Sequence, residues 1–121
     1  LAENDERLPE ALAFAEKANV LSPSNAGLMD TYAYVLYKSG RFKQAEQVLH
    51  SALQLYERNG TSVPAEVYEH LGMIKEELGA REQALDAYQQ ALQSAGGQLS
   101  DKVIERIRKA VERLSAASVE K

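Results

Sequence analysis

Apolar residues recur along most of the chain at steps of three and four. Leu28, Tyr32, Val35 and Leu36 make one such run, and Ala45, Val48, Leu49, Ala52 and Leu53 make the next. That period puts each set on one side of an α-helix, so each segment has a face to bury. Between the two runs "KSGRF" places Gly40 just past the last periodic residue, where a left-handed residue commonly ends a helix. Two helices joined by so short a turn must lie antiparallel. The same construction returns in "EVYEHLGMIKEELGAREQALDAYQQAL", residues 66–92, with Gly79 where Gly40 stood. The pattern predicts five main helices at about 8–21, 26–39, 42–57, 64–78 and 81–95, and a sixth at about 100–116.

The small residues carry a longer period. Ala11 and Ala18, Ala45 and Ala52, and Ala84 and Ala91 are each seven apart. From Ala11 to Ala45 is 34 residues and from Ala45 to Ala84 is 39, so one connection is longer, and "LYERNGTSVP" is where the additional residues fit. Alanines at this spacing let neighbouring helices approach closely, at the short end of a range of about 8–10 Å. A repeat of this length governs the fold.

Residues 26–95 resemble two tetratricopeptide repeats, and residues 8–25 resemble the second helix of an earlier one. The better copy has Tyr68, Leu71-Gly72, Gly79, Ala84, Tyr88 and Ala91 at the family's positions. The other has Met29, Tyr32-Ala33, Leu36, Gly40, Ala45, Leu49 and Ala52, and Pro23 ends the partial copy. Lys75 stands where the family usually has Tyr, Glu57 and Gly96 stand where it has Pro, and the long connection is a further departure. The resemblance implies an all-α fold, a right-handed α-α superhelix of the tetratricopeptide solenoid type. Such arrays need an end cap with a polar outer face. "DKVIERIRKAVERL" fits it, with Val103, Ile104, Ile107, Val111 and Leu114 as the apolar stripe and Ser100 as the N-cap. The expected organisation is one domain over 1–121: a partial repeat at 8–25, repeats at 26–58 and 65–96, and a capping helix at 100–116. Tyr88 and Leu49 are expected in the core.

Composition narrows the function. With 14 basic against 18 acidic residues and a net charge of -4, the chain has no global basic field to attract nucleic acid or anionic lipid. There is no cysteine, so disulfides and thiolate metal sites are excluded and the redox compartment is not indicated. No apolar run reaches the roughly 18 residues that span a bilayer, and "LAENDERLPE" lacks the features of a signal peptide. Leu1 in place of Met points to a piece of a longer chain. The compartment is left open between cytoplasmic and, if the parent is exported, periplasmic.

No catalytic constellation emerges. The two histidines, His50 and His70, belong to different repeats and have no companion ligand at metal-binding spacing. Serines and threonines gather in "SPSN" and "GTS", where capping and turns account for them. Glu76 and Glu77 are adjacent on a helix and diverge. The expectation is a non-enzymatic chain with no cofactor and no metal.

The resemblance implies binding in a concave groove lined by each repeat's first helix. Its inner positions here are Asp30, Tyr34, Tyr37 and Lys38, then Glu66, Glu69, Met73, Glu76 and Glu77. Tyrosines and a methionine beside acids suit a basic or amphipathic peptide or helix. The tyrosines could equally pack inside the array while the acids keep it soluble, and both readings stand. The family's clamp for a C-terminal carboxylate is disfavoured, because Asp30 and Glu69 stand where it would want cations. Lys102, Arg106, Lys109 and Arg113 form a basic stripe beside the apolar face of 101–114. It is open to two readings, a phosphate or lipid patch, or a solvated edge that answers the acids of 66–77. The leading expectation is a protein-interaction scaffold belonging to a bacterial multi-repeat protein, a source read from the look of "DTYAYVLYKSG". The alternative is structural self-association, a weak homodimer through 8–21, where Leu8, Leu12, Phe14 and Ala15 are expected to lack full cover.

Overall fold

The computed structural model describes residues 2–95 and 99–119, and every regular element among them is helical. In order these are α1 (Ala2–Leu21), α2 (Ala26–Lys38), α3 (Phe42–Asn59), α4 (Ala65–Glu77), α5 (Arg81–Ala95) and α6 (Asp101–Val119). They divide into two compact units, Leu1–Ser62 with α1 to α3 and Val63–Lys121 with α4 to α6. Gly96, where the sequence departs from the repeat pattern, lies outside the described residues.

The helix ends follow local chemistry. Gly40 has φ 79° and Gly79 φ 78°, left-handed values that cost glycine nothing because it has no Cβ. At the first, the Gly40 N–H donates to the Tyr37 carbonyl at 3.0 Å and the Arg41 N–H to Leu36 at 2.9 Å. At the second, Gly79 donates to Glu76 at 3.1 Å and Ala80 to Lys75 at 2.9 Å. These paired bonds satisfy carbonyls that the last turn leaves open. The inserted connection starts with a third such stop, at Gly60. Side chains cap the starts of α2 and α6: Asn25 Oδ1 accepts the Leu28 N–H at 3.0 Å, and Ser100 Oγ accepts that of Val103 at 3.3 Å.

The largest departure from the expected boundaries is at α1. α1 begins at Ala2, not near Leu8, and carries Pro9 in its interior. Proline withholds a donor from the carbonyl one turn back. Pro9 itself is exposed.

In the first unit Ala33, Leu36, Ala45, Leu49 and Ala52 are completely buried, and Tyr32 is 6% exposed. The Tyr32 hydroxyl ties three helices together, donating to Glu16 Oε2 on α1 at 3.3 Å and accepting from Gln44 Nε2 on α3 at 3.4 Å. The second unit packs Ala84, Tyr88 and Ala91 of α5 against Ile107, Ala110 and Leu114 of α6. Removing side chains such as Ile107 and Leu114 from water stabilises by about 1.5–3 kcal/mol each. The alanine register thus puts both Leu49 and Tyr88 in the core, as the periodicity predicts.

Gly72, on α4, is where the repeat's small residue has its use. A Cβ built there would lie 2.8 Å from two ring carbons of Tyr88 and 2.9 Å from a third. Only a hydrogen in place of a side chain lets the ring come this close to the α4 backbone.

Candidate functional site

On α2 the core takes Ala26, Tyr32, Ala33 and Leu36, which leaves the adjoining side for other uses. There Asp30, Tyr34 and Tyr37 are half-buried and Lys38 is exposed. The Tyr34 and Tyr37 rings stack with centroids 6.1 Å apart and planes 24° from parallel. Tyr37 also meets Phe42, the first residue of α3, at 5.7 Å and a tilt of 54°. Phe42 was not among the residues expected from the sequence. Its signal is an aromatic directly after the turn, five positions beyond Tyr37.

The acidic set of the second unit sits differently from the open positions expected of it. Glu69 is only 3% exposed. It accepts a two-pronged contact from Arg106 of α6, with Nε at 2.6 Å from Oε2 and Nη2 at 3.1 Å from Oε1. Glu76, one heptad later, is half-buried and does two things. Its Oε2 takes Arg113 Nε at 3.0 Å and Nη2 at 2.6 Å, while its Oε1 takes the Tyr88 hydroxyl at 3.0 Å. Met73 is half-buried against the α5–α6 core. Glu66 and Glu77 remain exposed. The physical reason is α6: it lies beside α4 and covers what a lone amphipathic helix would present to solvent. Of the two readings of the basic stripe, the one that answers the acids describes Arg106 and Arg113.

Burial raises the pKa of the Tyr32 phenol, helped by the neighbouring Glu16 carboxylate. Burial also raises that of Tyr56, with the Asp30 carboxylate adding to it. Asp30 therefore lies within electrostatic reach of the α3 aromatic.

On α1, Ala15 is buried and Leu8 and Leu12 are half-buried, but Phe14, Val20 and Leu21 are 77%, 71% and 73% exposed. Beside Leu8, Leu12 and Arg41 runs an open cleft of about 540 Å³. His50 is exposed on α3 and His70 half-buried on α4. Among the described residues no cluster of three or more His, Cys, Asp or Glu could hold a metal ion, and no helix is long and apolar enough to cross a membrane.

The tetratricopeptide repeat family model matches residues 25–95. No curated protein sequence gives a significant match. Among solved structures, the Arabidopsis OM64 TPR domain is similar with a TM-score of 0.73 and 24% identity, over 93% of this chain and 84% of that one. The Sgt2 TPR domain from Aspergillus fumigatus gives 0.77 and 17%, over 98% and 73%. The first TPR of Spaghetti (RPAP3), bound to the HSP90 peptide SRMEEVD, gives 0.71 and 20%, over 93% and 83%. At these identities the likeness speaks for the fold, which is all-α and of the tetratricopeptide class. Matched to the family model over more than half its length, and folded as the solved TPR domains are, the chain belongs to the tetratricopeptide repeat family.

Proposed function

We propose that the chain is a non-enzymatic protein-interaction module that binds a peptide or helix on the exposed faces of its first helices, the surfaces that line the family's concave groove. The observation that carries this reading is the row of Asp30, Tyr34 and Tyr37 on α2, which the core of its own unit leaves half-exposed. Tyrosines offer wide contact area with a polar tip, at little entropic cost. The neighbour bound to the HSP90 peptide SRMEEVD supports peptide binding as a use of this fold.

The proposed contacts are Asp30, Tyr34, Tyr37 and Lys38 in the repeat at 26–58, and Glu66, Glu69, Met73 and Glu76 in the repeat at 65–96. Glu69, 3% exposed and covered by Arg106, enters as that arginine's anchor and not as a direct contact, whereas half-buried Glu76 keeps partial access. The partner is basic or amphipathic. An acidic tail brought against Asp30 would lose hydration while meeting like charge. The partial repeat at 8–25 belongs to the first unit and the cap at 100–116 to the second, and the proposed role involves neither nucleic acid nor membrane insertion. A bacterial parent, cytoplasmic or exported to the periplasm, rests on the resemblance of "DTYAYVLYKSG" alone. The named sources of the neighbours are Arabidopsis, yeast, Aspergillus fumigatus, human and C. elegans.

An NMR titration of the labelled chain with basic, amphipathic and acidic peptides tests the reading. It expects shifts on α2 and on the exposed face of α4, with basic or amphipathic peptides binding most tightly. Tightest binding by an acidic C-terminal tail would overturn the partner class.

A second reading, structural self-association, is favoured by the exposure of Phe14, Val20 and Leu21 on α1. Phe14 and Leu21, one heptad apart, share a side of α1, and contiguous apolar surface of this kind marks association sites. Sedimentation over a hundredfold range of concentration tests it, and a mass that stays monomeric at the highest concentration would refute a homodimer.

A further inference from the structure

The row on α2 is more specific than a generic contact face. Tyr34 and Tyr37 present two nearly parallel rings with centroids 6.1 Å apart, and Phe42 extends the aromatic surface across the turn to α3. All three are half-buried, so the surrounding structure holds them in place while part of each stays accessible. Asp30 precedes Tyr34 by one helical turn and shares its side of α2. Gly27, one turn earlier again, is exposed, and a Cβ there would meet only Asn25 Oδ1, at 3.3 Å. The strip therefore begins where a partner's backbone can come close, continues to a carboxylate, and ends on aromatic faces.

We propose that this strip seats an arginine side chain of the partner, its guanidinium lying on the Tyr34–Tyr37 rings and its N–H edge turned toward Asp30. The inference rests on the reading of the chain as a peptide-binding module. Aromatic faces carry negative quadrupole potential and attract a cation placed over them. A guanidinium is planar and weakly hydrated, so it can stack on a ring and donate in its own plane at once, whereas an ammonium is a compact and strongly hydrated charge. An anion would meet the ring faces and the Asp30 carboxylate with the wrong sign. The groups around the site oppose one another in charge. Asp30 stands at one end, and Lys38, exposed one turn beyond Tyr34, stands at the other. Lys38 repels the incoming cation and so directs it toward the Asp30 end.

That opposition makes the test sensitive to sign. The probes are fluorescein-labelled peptides of four Gly-Ser-Arg repeats, blocked at the C-terminus, with matched lysine, citrulline and glutamate versions. They are titrated against the whole chain by fluorescence anisotropy at low salt. The arginine peptide is expected to bind most tightly. Tyr34→Leu and Tyr37→Leu, which keep apolar bulk but remove the ring, should each weaken it about two- to fivefold, the usual effect of an exposed cation–π contact. Asp30→Asn should weaken it as well, while Lys38→Met should tighten it. Circular dichroism of each variant confirms that it folds. If the arginine peptide binds but ignores both tyrosine replacements, or if Lys38→Met weakens it, the arginine seat is wrong while the module reading stands. If the glutamate peptide binds best, both the seat and the basic-partner reading fall. If none of the four binds, the seat falls together with the proposal that α2 is a peptide surface.

Discussion

Replacing Gly72 with alanine should destabilise the second unit, although the same change in an exposed helix would stabilise it by roughly 1 kcal/mol through helix propensity. The new Cβ would stand 2.8–2.9 Å from the Tyr88 ring. Carbon atoms at rest lie about 3.5–4.0 Å apart, so ring and backbone must separate by the better part of an ångström. Tyr88 has little room to yield. It is 3% exposed, sits in the cluster with Ala84, Ala91 and Ile107, and is tethered through its hydroxyl to Glu76 at 3.0 Å. Overpacking of this kind costs about 1–3 kcal/mol, and loss of a hydrogen bond to a charged acceptor costs about 1.5–3 more where the tether breaks. Set against the propensity gain, the net expectation is a loss of about 2 kcal/mol, read from urea denaturation followed by circular dichroism. A double-mutant cycle with Tyr88→Leu isolates the contact. With the ring gone, Gly72→Ala should become neutral or stabilising. Were Gly72→Ala to stabilise the chain with Tyr88 intact, the steric account would be wrong.

Three further outcomes follow from the same packing. Tyr88→Ala should cost about 3–5 kcal/mol, as truncating a buried aromatic does, and a loss under about 1 kcal/mol in denaturant melts would contradict its burial. Arg106→Ala should cost more than Arg113→Ala, about 1–3 against at most about 1 kcal/mol, because the side chain of Glu69 is 4% exposed and that of Glu76 25%. Molar salt should erase much of the Arg113 effect and little of the Arg106 effect, so equal losses in both variants would refute the ranking. Tyr32 and Tyr56 are raised above 10.0 in the fold, so their neutral forms are favoured there. Their contribution is fully present below pH 10.0 and fades as pH rises through the raised folded values. Urea midpoints should fall more steeply with alkaline pH in the parent chain than in Tyr32→Phe, and identical slopes would count against it.

What the sequence by itself determined was whatever depends on a residue's own helix. The turn glycines Gly40 and Gly79, the cap at Ser100, and the core placement of Leu49 and Tyr88 all follow from periodicity and backbone preference, which act over a few residues. The aromatic–acid strip of Asp30, Tyr34 and Tyr37 was legible for the same reason, since the residues core packing takes from α2 define the side it leaves. The tertiary structure alone decided matters that need two helices at once. Periodicity places Glu69, Met73 and Glu76 on one side of α4, but whether that side meets water depends on α6. Arg106 and Arg113 cover the two glutamates, and the α5–α6 core takes the methionine. The basic stripe announced its charge, yet only the alignment of α4 with α6 assigned each arginine its glutamate. Phe42 joined the strip because the turn at Gly40 folds α3 back beside Tyr37, and Gly72 gained its constraint from a ring sixteen residues away. A helix side is set by local backbone geometry, whereas its exposure is set by what else packs on it.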